Sequence, residues 1–179
     1  MENLSLIFLT PEWQVALKEM AEDYRAAGES RHERVFRMTD EDFYAYLRSL
    51  EDEARDEATP ANMVPQTTFW VVMDDNTLIG SVRVRHRLNE TLEREGGHIA
   101  VDIRPSQRGK GYGGRALLLS LEKAAEIGLE KVLIVCDNEN TASISLIEKY
   151  GGELIDEVYS PRCGKPVRRY WMKTAKAER

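Results

Sequence analysis

Val101-Asp102-Ile103-Arg104-Pro105-Ser106-Gln107-Arg108-Gly109-Lys110-Gly111-Tyr112-Gly113-Gly114 is the stretch that decides the fold. His98 to Arg104 reads as a strand that Pro105 stops, and a helix starting at Gly113 or Gly114 runs to Ile127. Between them lies a turn in which four glycines surround two basic residues. Glycine lets a backbone turn with positive φ and approach a ligand closely. Several amide N–H groups then converge on an anion at the positive end of the helix dipole. The geometry predicted is that of a pyrophosphate cradle. A P-loop is excluded because Lys110 is followed by Gly111 and not by Ser or Thr. A dinucleotide-binding βαβ unit is disfavoured, because the strand follows an apparent hairpin instead of opening the unit.

Working outward, Thr67 to Met73 and Leu78 to Arg85 flank the polar turn Asp74-Asp75-Asn76 and predict that hairpin. Leu4 to Leu9 predicts a first strand. Trp13, Ala16, Leu17, Met20 and Tyr24 recur at helical spacing between Pro11 and Ala27, with Thr10 as N-cap and Gly28 as the stop. A second helix starts near Asp40, with Phe43, Tyr44, Leu47 and Leu50 on one face and an acidic, solvated opposite face. After the glycine turn, Lys131 to Cys136 is a nearly continuous apolar run, as in a buried strand. Asn140 to Tyr150 is a helix closed by Gly151-Gly152. Glu153 to Tyr159 and Val167 to Lys173 are two further strands. The order β-α-α-β-β-β-α-β-α-β-β predicts one α/β domain over residues 1–179, with a mixed, largely antiparallel sheet flanked by helices.

The 179 residues suffice for one sizeable core. A net charge of -6 and a pI near 5.2 argue against a nucleic-acid partner, which calls for a basic face. No apolar run approaches the length of a membrane span, and the first residues lack the pattern of a signal peptide. A cytoplasmic protein with no membrane partner is expected. Cys136 and Cys163 have neither metal-ligand nor disulfide-framework spacing, so no metal is expected.

Taken together, these residues resemble the Gcn5-related N-acetyltransferases. The family's Gln/Arg-x-x-Gly-x-Gly/Ala motif is met by Arg108, Gly111 and Gly113, after an apolar-x-apolar strand end at Val101 and Ile103. Its second motif, an Asn opening a helix that ends in Gly, is met by Asn140, Ser143, Leu146 and Gly151. The stretch from His86 through His98 to Ser106, and the ending Arg169-Tyr170-Trp171, look like one bacterial branch whose substrates are generally unassigned. The resemblance implies the acyl-CoA N-acyltransferase fold and transfer of an acetyl group from acetyl-CoA directly to an amine. The acceptor is a small molecule or a peptide, and the protein a monomer or homodimer. It implies pantetheine contacts from the backbone of Val101, Asp102 and Ile103. It implies a pyrophosphate cradle from Arg108, Gly109, Lys110, Gly111, Tyr112, Gly113 and Gly114, and a hydrogen bond from Asn140 to the pantetheine or acetyl end.

The catalytic positions depart from the family pattern. A primary amine is mostly protonated at neutral pH, so a base is expected. The family's usual base position falls on Gly97; His98 is the best candidate beside it, with Glu95 and Asp102 as runners-up. His86 is a candidate lining residue of the acceptor pocket, whereas His32 reads as solvated. The usual acid, a Tyr seven residues after the Asn, is here Ile147, and Tyr150 one turn on is the substitute. These departures leave a second reading open, a coenzyme A-binding module without catalysis.

Overall fold

The structure, a computed structural model, describes residues 3–174; residues 1, 2 and 175–179 of the expected domain span lie outside the described residues. The elements run β1 (Leu4–Ile7), α1 (Gln14–Ala26), α2 (Asp40–Asp52), β2 (Gln66–Met73), β3 (Leu78–Arg85), α3 (Glu90–Glu95), β4 (Ile99–Ile103), α4 (Tyr112–Glu126), β5 (Lys131–Asp137), α5 (Thr141–Lys149), β6 (Glu153–Ser160) and β7 (Lys165–Lys173). The order matches the sequence expectation, with one addition. The six-residue α3 falls in a stretch with no helical periodicity, and Asn89 nucleates it by accepting a bond from the Leu92 N–H. The expected helix start at Pro11 is a 3-10 turn, Pro11–Trp13, leading into α1, and Thr10 makes no side-chain cap bond.

The strands form two antiparallel sheets, β1-β2-β3-β4 and β5-β7-β6. Period-two alternation on β2 sends Phe69, Val71 and Met73 to a core shared with α4, β5 and β7. Trp70 and Val72 go to a second core under α1 and α2. A register shift opposite Val71 and Val72 re-phases β3, so that Ile79, Val82 and Val84 all reach the first core. That core runs from Leu4 to Met172 and so includes both sheets.

Each helix near the glycine turn is set by short-range chemistry. Asn140 caps α5, its Oδ1 accepting the Ser143 N–H at 3.0 Å. Thr39 and Asp42 form a reciprocal capping box at the start of α2. At α4 the cap residue is Gly111, at φ +85°. A glycine holds that position because the left-handed region is costly for residues with a Cβ.

Candidate functional site

β4 and β5 are neighbours that meet only at one end. The His98 N–H donates to the Leu133 carbonyl at 2.7 Å, and the Leu133 N–H donates to His98 Nδ1 at 2.9 Å. Beyond that junction β4 pairs with β3 and β5 with β7, which leaves a wedge between them. A cavity of about 280 Å³ fills it, lined by Ile99, Val101, Cys136, Asn140, Leu146 and Ile147 among others.

Backbone parity decides what β4 offers to the wedge. The Arg85 N–H donates to the His98 carbonyl and the Arg104 N–H to the Ile79 carbonyl, each at 2.8 Å. Between these two points, antiparallel partners exchange bonds at every second position. Ala100 and Asp102 therefore pair with β3, while Ile99, Val101 and Ile103 direct their N–H and C=O groups toward β5. The Ile103 carbonyl fits that assignment: it accepts Arg108 Nε at 2.8 Å. Val101 and Ile103, for which pantetheine contacts are implied, thus face the wedge. Asp102, expected with them, is turned away on both counts, its amide to β3 and its side chain to the opposite face.

The glycine turn is anchored by two acids, Asp23 on α1 and Glu29 in the loop that follows it. Asp23 accepts Arg104 Nε at 2.6 Å, the Ser106 hydroxyl at 2.6 Å and the Ser106 N–H at 3.2 Å. Glu29 takes the Arg108 guanidinium in two bonds of 2.5 and 3.0 Å. Arg108, expected in the cradle, therefore has its guanidinium directed at Glu29 and Ile103, and its N–H donates to Pro105. Lys110 reaches Gln107 Oε1 at 2.9 Å. Gly109 and Gly111 have φ of +74° and +85°, and a Cβ at either would meet open space. Gly113 has no such φ, and a Cβ there would make only ordinary contact, 3.5 Å from Leu146. Protein packing therefore does not demand a glycine at 113. Gly114 is different: a Cβ would lie 2.6 Å from the Tyr150 ring.

The expected catalytic side chains are placed elsewhere than the family pattern implies. His98 is buried, and the Leu133 amide occupies Nδ1, which fixes the proton of the neutral ring on Nε2. Burial and the nearby Arg85 guanidinium push its pKa down to about 4. Neither feature suits a base. Gly97, the family's base position, has φ +66°, and a Cβ would approach the Leu133 carbonyl to 2.6 Å. Arg85 Nη1 further grips the Gly96 and Gly97 carbonyls at 3.0 and 2.7 Å. Glu95 is tied to the β6–β7 turn by the Ser160 hydroxyl and the Arg162 N–H, and these bonds lower its pKa. The Tyr150 ring packs beneath the first turn of α4, whereas Ile147 lines the wedge itself.

On the other face of the first sheet, the α1–α2 segment and α2 roof a cavity of about 410 Å³. Asp102 stands in its wall. Its carboxylate accepts the Tyr24 hydroxyl at 2.6 Å, with Arg31 at 3.6 Å and His32 Nε2 at 3.9 Å. Burial raises its pKa, but His32, Tyr24 and Arg31 outweigh that and hold it below the usual carboxylate value. His32, expected in solvent, sits at φ +59° with Tyr24 and Trp70 each 5.5 Å away, ring centre to ring centre. Periodicity gave no sign of it, because its placement comes from the loop conformation. His86 lines a separate cavity of about 520 Å³ with His98, Arg169 and Trp171, its Nε2 2.8 Å from Thr67 Oγ1. Among the described residues no group of three or more His, Cys, Asp or Glu side chains could hold a metal ion, and no helix is long and apolar enough to cross a membrane.

Comparison with known proteins agrees with this geometry. The family model described as acetyltransferase (GNAT) domain matches residues 16–153. No curated protein matches the chain in sequence. Among solved structures, Mycobacterium smegmatis RimJ in complex with CoA-disulfide superposes with a TM-score of 0.70 at 13% identity, covering 98% of this chain and 84% of that one. RimL, a ribosomal L7/L12 α-N-protein acetyltransferase in complex with coenzyme A, gives 0.68 at 14% identity and 97% and 95% coverage. A spermidine N-acetyltransferase SpeG chimera from Vibrio cholerae and hSSAT gives 0.64 at 17% identity, with 97% and 96% coverage. With strand splay, glycine turn and family match in agreement, the chain belongs to the GNAT acetyltransferase family and is an acetyl-CoA-dependent N-acetyltransferase.

Proposed function

We propose that the chain works as one catalytic domain that holds acetyl-CoA in the wedge between β4 and β5 and presents it to an amine arriving from the opposite face of the sheet. The observation that carries this reading is the unpaired edge of β4. Backbone groups of Ile99 and Val101 face the wedge, and the strand leads directly into the Gly109–Gly114 turn. The fit to the coenzyme is chemical as well as spatial. An amide-rich pantetheine arm needs alternating donors and acceptors, which a free strand edge supplies. A pyrophosphate needs the N–H groups at a helix start, with open space where side chains would be.

Bound acetyl-CoA supplies an acyl thioester. Val101, Ile103 and Asn140 Nδ2 orient the pantetheine arm, and the turn residues Gly109, Lys110, Gly111, Tyr112, Gly113 and Gly114 hold the phosphates. Arg108 acts through Glu29 and Ile103 as a positioning residue for that turn. The N–H of Val101 is the donor available to a carbonyl oxygen gaining negative charge. Since Gly97 cannot carry a side chain and His98 has no free basic nitrogen, we assign amine deprotonation to the Asp102–His32 pair, acting through water. Ile147 offers no proton to the departing thiolate, which leaves that proton to solvent. A cytoplasmic setting agrees with two free cysteines, Cys136 and Cys163.

The test is a titration with coenzyme A, followed by thiol release from acetyl-CoA with an amine panel. A saturable heat signal, a raised melting temperature and amine-dependent release are expected. No binding at millimolar coenzyme overturns the reading.

A further inference from the structure

Two buried polar atoms on the acceptor face lack partners. Among the described residues, Trp70 Nε1 and Thr68 Oγ1 make no hydrogen bond, although Trp70 is 1% and Thr68 9% exposed. Native proteins rarely bury such atoms without a partner. Both residues line the 410 Å³ cavity whose wall includes Asp102.

Strand register organises the floor of that cavity into two rows. Thr68 pairs with Arg83 and Arg83 with Ala100; Trp70 pairs with Ser81 and Ser81 with Asp102. Paired residues project to the same face, so each row leads from β4, beside the wedge, inward across the sheet. Arg83 is exposed and meets no carboxylate among the described residues. By contrast, Arg31 faces Asp102 and Arg34 lies over the Tyr46 ring at 4.5 Å. One strand in from β4, about 5 Å, there is thus an unpaired guanidinium; two strands in, about 10 Å, there are an unpaired N–H and an unpaired hydroxyl.

Resting on the acetyltransferase reading, we propose that this cavity takes an amine with a carbonyl or carboxylate on the adjacent carbon, meaning an α-amino acid or the N-terminus of a peptide. Its nitrogen lies at β4, its first carbonyl or carboxylate meets Arg83, and a second polar group further along meets Trp70 and Thr68. The charges oppose a polyamine. The lining holds Arg31, Arg34 and Arg83 against Glu33, Glu53 and Asp102, so no net negative charge awaits a polycation.

The experiment compares kcat/KM for several amino acids, their amides, tripeptides with the same first residue, the matching decarboxylated amines and spermidine. Carbonyl- or carboxylate-bearing amines are expected to exceed their decarboxylated counterparts at least tenfold. Preference for the free amino acid identifies that source; preference for amide and tripeptide identifies a peptide N-terminus. Arg83→Ala, Trp70→Phe and Thr68→Val are expected to raise KM for the preferred class about tenfold, with kcat and coenzyme affinity nearly unchanged and Arg83→Lys partly restoring Arg83→Ala. Thr68→Val removes an unpaired hydroxyl at constant shape, so the free protein keeps its melting temperature. Equal use of decarboxylated amines or spermidine, equal losses for every amine, or no turnover of any amine by coenzyme-binding protein overturns this proposal while leaving coenzyme binding intact. Failure to bind coenzyme A would instead remove the wider reading on which it rests.

Discussion

The Leu133 N–H donates to Nδ1 of His98 at 2.9 Å, while the His98 N–H donates to the Leu133 carbonyl at 2.7 Å. One residue thus uses backbone and side chain together to close the strand-like contact between β4 and β5. The ring replaces a second backbone bond, so the strands meet at a point and are free to diverge beyond it. The wedge between β4 and β5 begins at this pin.

His98→Ala is expected to lower stability by about 1–3 kcal/mol through the stranded Leu133 amide, before any cavity cost. His98→Asn, whose Oδ1 can take the place of Nδ1, is expected to recover much of it. Turnover by folded His98→Asn should stay within about tenfold of the parent, short of the 10²–10⁴-fold loss of a general base. Thiol release at saturating substrates decides between the two roles.

The same pin makes folding pH-dependent. The folded imidazole is held neutral down to about pH 4, whereas in the unfolded chain it takes a proton near 6.5. Between those values the unfolded state binds more protons, so stability is present above about 6.5 and is lost as pH falls toward 4. Full expression of the shift amounts to about 3 kcal/mol. Denaturant midpoints between pH 7 and 4 should fall less steeply in His98→Asn. Some slope remains from His86, whose pKa burial also lowers. Identical slopes in parent and variant would contradict a buried neutral His98.

Gly113 and Gly111 separate ligand effects from folding effects. Gly113 lies in the first turn of α4 with ordinary helical φ, so Gly113→Ala should leave stability unchanged or raise it by up to about 1 kcal/mol. Its methyl would nevertheless lie 3.5 Å from Leu146, a residue that lines the wedge. Losing one charge-assisted phosphate contact should weaken coenzyme A about tenfold or more. Gly111→Ala should lose both affinity and roughly 1 kcal/mol of stability, since φ is +85° there. Calorimetric titration beside thermal melts reads both; normal affinity in folded Gly113→Ala would remove the cradle from that position.

Tyr150→Phe is expected to keep turnover within about tenfold, because the hydroxyl lies under the first turn of α4 and Ile147 takes the place facing the wedge. Gly114→Ala should instead cost about 1–3 kcal/mol by driving a methyl into the Tyr150 ring. A hundredfold loss of turnover in well-folded Tyr150→Phe would restore the tyrosine as the acid.

Much of the fold was legible because it rests on local signals. The glycine run, the Asn140 cap and the period-two strands each specify their own element. The split of the sheet was not legible, since it depends on His98 meeting Leu133, 35 positions away. Arg108 reads in sequence as a phosphate ligand, but its partner Glu29 lies 79 residues earlier, across the first helical layer. His32 shows the same limit: nothing near Arg31 or Glu33 reveals that a left-handed turn will set the ring between Tyr24 and Trp70. Positions whose role comes from a local sequence pattern were readable; those set by a distant partner or by an irregular loop were not.

The assignment of proton transfer to Asp102 and His32 gives the last prediction. The carboxylate is held ionised by His32, Tyr24 and Arg31, and the imidazole lies beside it in the cavity wall, on the sheet face opposite α4. In this assignment the imidazole takes the amine's proton through water, and the adjacent carboxylate orients the ring. His32→Gln should therefore lower kcat roughly 10²-fold, with coenzyme affinity unchanged. Asp102→Asn should lower it comparably, and the double variant little further, because the two residues act as a unit. Amines of lower basicity arrive already neutral and should lose less in His32→Gln than strongly basic ones. That dependence on acceptor basicity separates a proton-transfer role from a merely structural one. If His32→Gln slows weakly and strongly basic acceptors alike, the residue shapes the cavity and water alone takes the proton.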